Sequence, residues 1–212
     1  MRDYDSYEVN YWPSLADIFA SLFIIFLIFF AVYYGKVGYM THAIEKDWDE
    51  LKDLLTSESD IIDVDMEEKI IKISEKALFE FDEFILTENG QRLAHEMGYK
   101  LGSYLNFENR YKNYLFLIEG HTDSKGTHEY NNTLSLNRAN ALLGAISDVI
   151  LDYNFLDKDQ IGSTFIPVAY GETKPHDGVY VDELRSEENR RVEIRIIPRF
   201  NEALEGIIKD NR

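Results

Sequence analysis

Cysteine is missing altogether from this 212-residue chain, which excludes a disulfide framework and any thiolate metal centre. Its absence is compatible with the periplasm but does not establish that location. Positive charge is scarce, with 22 Lys and Arg against 39 Asp and Glu and a formal net charge of −17. So acidic a chain does not neutralise phosphates, and nucleic acid is not an expected partner. Catalytic signatures are lacking as well. There is no G-x-S-x-G, no H-E-x-x-H and no thiol nucleophile, so the chain reads as a binding module, not an enzyme, with no cofactor expected. Internal repeats and low-complexity tracts are also missing. What remains is 45% hydrophobic, enough for a packed core and too much for global disorder.

One stretch stands apart from this acidic background. From Leu15 to Tyr34 the chain reads LADIFASLFIIFLIFFAVYY, in which only Asp17 and Ser21 are strongly polar. About 20 such residues at ~1.5 Å rise span roughly 30 Å, the thickness of a bilayer hydrocarbon core. Tyr11 and Trp12 precede the run and Tyr33 and Tyr34 end it, in the manner of an interfacial aromatic belt. A cleaved signal peptide is the competing reading. It would need a basic n-region, a shorter apolar run and an A-x-A-like site, none of which is present. We therefore expect a short tail at 1–14 and an uncleaved transmembrane helix at 15–35. Arg2 lies on one side of that helix and Lys36 and Lys46 on the other, so the positive-inside count is nearly tied and does not orient it.

Asp17 carries two readings. An ionisable group inside a membrane segment is costly and points to function. Equally, Ser14-Leu15-Ala16-Asp17 has the form of a capping box, in which a first-turn acid satisfies orphan N–H groups and favours the helix dipole.

Residues 36–60 form a densely charged helical connector. Val37, Ile44, Trp48, Leu51 and Leu55 are spaced as one face of an amphipathic helix or as a short coiled-coil seam. Such a helix either docks on its own domain or serves as a dimer stalk. A globular domain is expected over 61–200, followed by a tail at 201–212. In it, Ile61–Val64 and Lys69–Ile73 read as strands. The T-E-N-G at Thr87 starts a helix carrying Leu93, Met97, Leu101 and Leu105 at four-residue steps. Tyr114–Glu119 reads as a buried strand, Ser135–Asp152 as a helix and Phe165–Tyr170 as a strand. Arg191–Ile197 alternates as a half-buried strand. The resulting order, β-α-β-α-β-β, implies an α/β domain with its helices packed on one sheet face.

The strongest local signal is EGHTDSKGTHEYNNTLSLNRANAL, from Glu119 to Leu142. A buried strand ends there in a polar turn with His121, Thr122, Asp123 and Gly126, and the following helix is expected to carry Arg138 in its first turn. Asp123 and Arg138 offer opposite charges that can hold a zwitterion, the carboxylate on an ammonium and the guanidinium forked onto a carboxylate. The alternative is that they pair with each other merely to fix the turn. His121 and Asp123 provide two metal donors without a third, so no metal site is expected and His121 reads as a packing residue at the strand end.

This stretch resembles the signature of the OmpA-like family. The likeness extends to LFEFDEFILTENGQRL (Leu78–Leu93), YGETKP (Tyr170–Pro175) and ENRRVEIRI (Glu188–Ile196). The resemblance implies non-covalent binding of the diaminopimelate-containing peptide of peptidoglycan. Asp123 would contact the ammonium and Arg138 the carboxylate, with Asn131 as a supporting hydrogen-bonder and Thr122, Asn189 and Arg190 helping to build the pocket.

YWPSLADIFASLFIIFLIFF in turn resembles the membrane segment of MotB-type stator subunits. That resemblance implies an aspartate, Asp17, that binds and releases a proton or sodium ion, with Ser21 one turn on as a helper. It also implies a homodimer inside a pentamer of MotA-like (ZorA-like) multi-span partners, in the bacterial inner membrane with a cytoplasmic N-terminus and a periplasmic domain. The tail is acidic and the connector short, unlike flagellar MotB; the compact layout is similar to ZorB of the Zorya anti-phage system. A flagellar stator and a passive cell-wall tether, in which Asp17 only caps a helix, are the alternatives.

Overall fold

A computed structural model describes residues 11–56, 62–65, 67–176 and 187–199. The expected C-terminal tail, most of the N-terminal tail and the Ile61 end of the first strand lie outside these residues. Two compact units result, residues 1–47 and 48–212.

The apolar run belongs to α1, Trp12–Thr56. It is one continuous helix where the sequence suggested a membrane helix and a separate connector. Neither Gly35 nor Gly38 interrupts it; a glycine inside a helix costs only about 1 kcal/mol. The helix also starts earlier than the capping box requires. Pro13, whose missing N–H is harmless in a first turn, sits directly behind Trp12, and no acidic residue lies in the first turn. Ser14 is thus inside the helix and Asp17 is in its second turn, so the box does not form. The helix is long and apolar enough to cross a membrane, with a mean hydropathy of 2.7 over its most apolar window and none of that window buried.

From Trp48 onward α1 is part of the globular unit. Trp48, Leu51 and Leu55 are buried at 4%, 2% and 1% exposure in the same core as the sheet. Burial of each is worth about 2 kcal/mol. Outside this face Arg110 grips Glu50 through two hydrogen bonds of 3.0 Å. The end of the connector docks on its own domain, and these three side chains of the expected seam are spent in the core.

Five strands form one sheet in the order β1-β2-β5-β3-β4: β1 Ile62–Asp65, β2 Ile70–Ser74, β3 Tyr114–His121, β4 Phe165–Gly171 and β5 Arg191–Pro198. Only β3 and β4 run parallel, joined by the crossover α4, His128–Asp152, and the short α5, Lys158–Thr164. The one-turn α2, Glu75–Leu78, and α3, Glu88–Asn106, follow β2. With α1 and the short helices set aside the order is β-β-α-β-α-β-β, in which the strand expected at Ile61–Val64 is the edge strand β1, antiparallel to β2.

The helices cover one sheet face, as expected. On α3, Leu93, Met97, Leu101 and Leu105 are all buried, and the Thr87 side chain accepts from the Gly90 N–H at the cap. Alternate residues of the strands, Ile71 and Ile73, Phe116 and Ile118, and Val192 and Ile194, are fully buried beneath the helices. At Gly120 a Cβ would stand 2.0 Å from the Ser135 carbonyl oxygen, so glycine is what lets α4 lie against β3. The intervening residues, Lys72, Glu119, His121, Glu193 and Arg195, occupy the opposite face.

Candidate functional site

Helix α4 begins at His128, seven residues ahead of the expected start, because Thr127 caps it by accepting from the Tyr130 N–H at 3.2 Å. Nothing between Thr127 and Ser135 is glycine or proline, so the polar stretch read as a loop is helical. This corrects the position of Arg138, which lies in the third turn of α4 rather than its first. The guanidinium therefore approaches the sheet from the side of the helix, and Asn131 occupies the first turn.

The two charges singled out in the sequence do not pair with each other. Asp123 Oδ2 accepts from Arg190 Nη1 at 2.8 Å. Arg190 Nε lies 2.6 Å from Glu75 Oε2, and Glu75 Oε1 accepts a short hydrogen bond from Arg138 Nη2. The result is a row of four alternating charges, Asp123, Arg190, Glu75 and Arg138, at the end of the sheet. Asp123, Glu75 and Arg138 are 6%, 4% and 1% exposed. Burial opposes the charge on Arg190, yet Asp123 and Glu75 outweigh it and hold the guanidinium more firmly protonated than usual. Each residue reaches this row from a different element. Asp123 follows β3, Arg190 precedes β5, Arg138 stands on α4, and Glu75 is the first residue of α2, its N–H tied to the Arg190 carbonyl at 3.0 Å.

The supporting residues fall around this row. Asn131 Nδ2 donates to the Asp123 carbonyl at 3.4 Å, and the Asp123 Oδ1 atom accepts from the Lys125 N–H at 3.2 Å. Thr122 is buried, with its N–H on the Gly171 carbonyl. Asn189 Oδ1 accepts from the His176 N–H at 2.7 Å, so it positions the segment after β4 and does not enter the row. Arg138 Nε donates to the Glu83 carbonyl at 2.8 Å, fixing a loop whose Phe81, Phe84 and Ile85 are exposed. The Arg190 guanidinium lies 5.7 Å from the Phe81 ring centroid, making an apolar rim beside buried charge.

Glu75 and Phe81 were missed by sequence reasoning. The run from Glu75 to Glu83 holds four acidic residues, and nothing local distinguishes the one that α2 turns inward. In α1, Ser21 Oγ donates to the Asp17 carbonyl at 2.9 Å, so its hydroxyl is engaged by the helix backbone and not by the Asp17 carboxylate.

The chain matches the OmpA family over residues 78–190. Outer membrane porin F of Pseudomonas aeruginosa is 29% identical over 128 residues, 60% of this chain and 32% of the porin; the chain thus spans about a third of that relative's length. A putative MotB-like protein from Desulfovibrio vulgaris shares the fold at a TM-score of 0.55, with 17% identity, covering 74% of this chain and 96% of that one. The peptidoglycan-associated lipoprotein of Burkholderia pseudomallei is 26% identical with a TM-score of 0.43, covering 57% and 88%.

Proposed function

Because the chain belongs to the OmpA family, we propose that its globular unit binds peptidoglycan and that the whole chain is the wall-anchored B-type subunit of an ion-driven membrane motor. The observation that carries the wall-binding part is the buried row of alternating charges. Glu75 places a carboxylate on Arg138, and Arg190 places a guanidinium on Asp123. A diaminopimelate-type zwitterion presents the same two charges, a carboxylate for Arg138 and an ammonium for Asp123. Exchange of Glu75 and Arg190 for that ligand leaves Asp123 and Arg138 partnered throughout, which avoids the large cost of an unpaired buried charge. The rim of Phe81, Phe84 and Ile85 suits the aliphatic stem of such a side chain.

The motor part rests on Asp17. It stands in the second turn of an apolar helix, where it caps nothing, and a carboxylate in such a place calls for an ion or a partner. In this reading α1 crosses the inner membrane with the N-terminus cytoplasmic and the domain periplasmic. Asp17 takes up and releases a proton or sodium ion against a MotA-like, multi-span partner surrounding a dimer of this chain. With Ser21 committed to the helix backbone, the remaining ion contacts come from that partner. The short distance between the apolar run and the Trp48 docking point fits a compact Zorya-type defence motor better than a long-linker flagellar stator.

Retention on insoluble peptidoglycan tests the first part. Asp123→Ala and Arg138→Ala each reduce retention, and full retention by both folded variants rejects the site. Asp17→Asn tests the second, with expected loss of motor-dependent function at unchanged expression and membrane insertion. Full activity of that variant leaves only a tether.

A further inference from the structure

The sheet face opposite the helices carries a second buried polar group. Glu119 and His121 are two residues apart on β3 and so project from the same face. Glu193 is the direct cross-strand partner of Glu119 on β5. The three are 0%, 1% and 4% exposed, and a donor atom from each lies within 4.8 Å of the others. Two carboxylates directly opposite on adjacent strands repel, and burial strengthens that repulsion. The fold answers it from outside. Arg195 Nε donates to Glu119 Oε1 at 2.9 Å and Arg191 Nε to Glu193 Oε1 at 2.7 Å. Glu193 is thereby anchored through Oε1, and Glu119 through both oxygens, since Arg195 Nη2 also donates to its Oε2 at 3.4 Å.

The Oε2 atoms of both carboxylates face His121. Its Nε2 lies 3.6 Å from Glu193 Oε2 and 3.9 Å from Glu119 Oε2. These separations are too long for hydrogen bonds, which lie near 2.7–3.2 Å, and neither ring nitrogen has a hydrogen-bond partner. The ring itself is held in place by stacking on Tyr170, with centroids 5.4 Å apart.

We propose that Glu119, His121 and Glu193 form a site for a divalent transition-metal cation of the zinc type. Ligands about 2.0–2.2 Å from a tetrahedral zinc stand roughly 3.4 Å from one another. The 3.6 Å and 3.9 Å separations from His121 need a few tenths of an ångström of closure to meet that geometry, and the two carboxylate oxygens, within 4.8 Å of one another, draw together by up to roughly 1.4 Å. Imidazole with two carboxylates suits zinc, whereas calcium takes six to eight oxygens and magnesium keeps much of its water shell. Arg191 and Arg195 do here what outer hydrogen-bond partners do in metal sites: they fix the orientation of the ligating carboxylates. Their positive charge also lowers the affinity for a cation. A cleft of about 390 Å³ reaches His121 and Glu193 between Asp65, Lys72, Lys174 and His176. It provides an entry path and room for a fourth, exchangeable ligand. Bound there, the metal cross-links β3 to β5 two residues ahead of Asp123. The site does not depend on the wall-binding reading.

The test uses the full chain, purified in detergent and stripped with a chelator. Zn²⁺ titrated in competition with a chromophoric chelator binds at one equivalent per chain and raises the thermal midpoint. Co²⁺ in its place gives the intense visible bands of a four-coordinate ion. His121→Gln and Glu193→Gln each weaken binding by at least about tenfold and lose the cobalt bands, while Asp123→Ala, in the separate charge row, keeps both. Circular dichroism in chelator establishes which variants are folded; if His121→Gln is not, Glu193→Gln decides. Absence of saturable uptake by the unaltered chain, or equal uptake by a folded Glu193→Gln, overturns the proposal.

Discussion

Two groups of buried charge, only a short stretch of β3 apart, are stabilised in different ways. At the sheet end, Asp123, Arg190, Glu75 and Arg138 come from four separate elements and alternate in sign, so every charge meets its opposite. On the bare sheet face, Glu119 and Glu193 are brought together by strand register, like against like. Arg191 holds Glu193, and Arg195 reaches both carboxylates. The first group is electrostatically complete and can change partners only by exchange. The second leaves two like charges beside a buried histidine whose ring nitrogens make no hydrogen bond, which is the condition of a site that accepts a cation.

Variants in each group should separate these two solutions. The largest effect is expected from Arg138→Ala. It removes one of the two arginines on Glu75, a residue only 4% exposed, and leaves Arg190 to serve both Glu75 and Asp123; breaking a buried pair costs about 3–5 kcal/mol, read as a drop in the denaturant midpoint. Next comes Arg195→Ala on the sheet face, with a cost of about 1–3 kcal/mol. Glu119 then loses its main partner, but Arg195 is itself one quarter exposed and water replaces part of what is lost. Near-equal costs for the two would remove the distinction drawn here. The smallest effect belongs to Asp65 at the rim of the same face. The Glu68 N–H and the Lys72 ammonium, with the Glu67 N–H, hold its carboxyl below the usual 3.8. A depressed carboxylate contributes stability that is present above pH 3.8 and lost as the pH falls through the folded value. Asp65→Asn should therefore lower stability slightly at neutral pH, leave it unchanged at the acid end, and so flatten the acid limb of the stability profile.

Much of this architecture was legible in advance, for reasons that are local. Thr87 announced α3, four-residue spacing named its buried face, and YLFLIE could only be a covered strand. The alternation of Arg191–Ile197 also gave the correct inward residues, Val192, Ile194 and Ile196. It failed on their neighbours. Glu193 and Arg195 were set on the open side, yet Glu193 is 4% exposed, because Arg191 bonds it along the same strand and Arg195 reaches across to Glu119 on β3. That depends on the pairing of β5 with β3, more than 70 residues away in sequence, and register is not written in either strand alone. The same distance hid Glu193 as the third donor beside His121, and hid Glu75 as the partner of Arg138. The early start of α4 was missed for a different reason. Polar helix turns and polar loops look alike until a cap such as Thr127 is seen bonding.

The burial of Trp48, Leu51 and Leu55 also has a mechanical meaning. A domain held fast to a rigid wall and pulled through its leading helix bears that load as shear across a hydrophobic core, since the last turns of α1 are packed beside the sheet. No strand needs to be unzipped from its edge for the force to pass. A soluble fragment cut after Thr56 would lose these three side chains and, with them, the point where tension enters the fold.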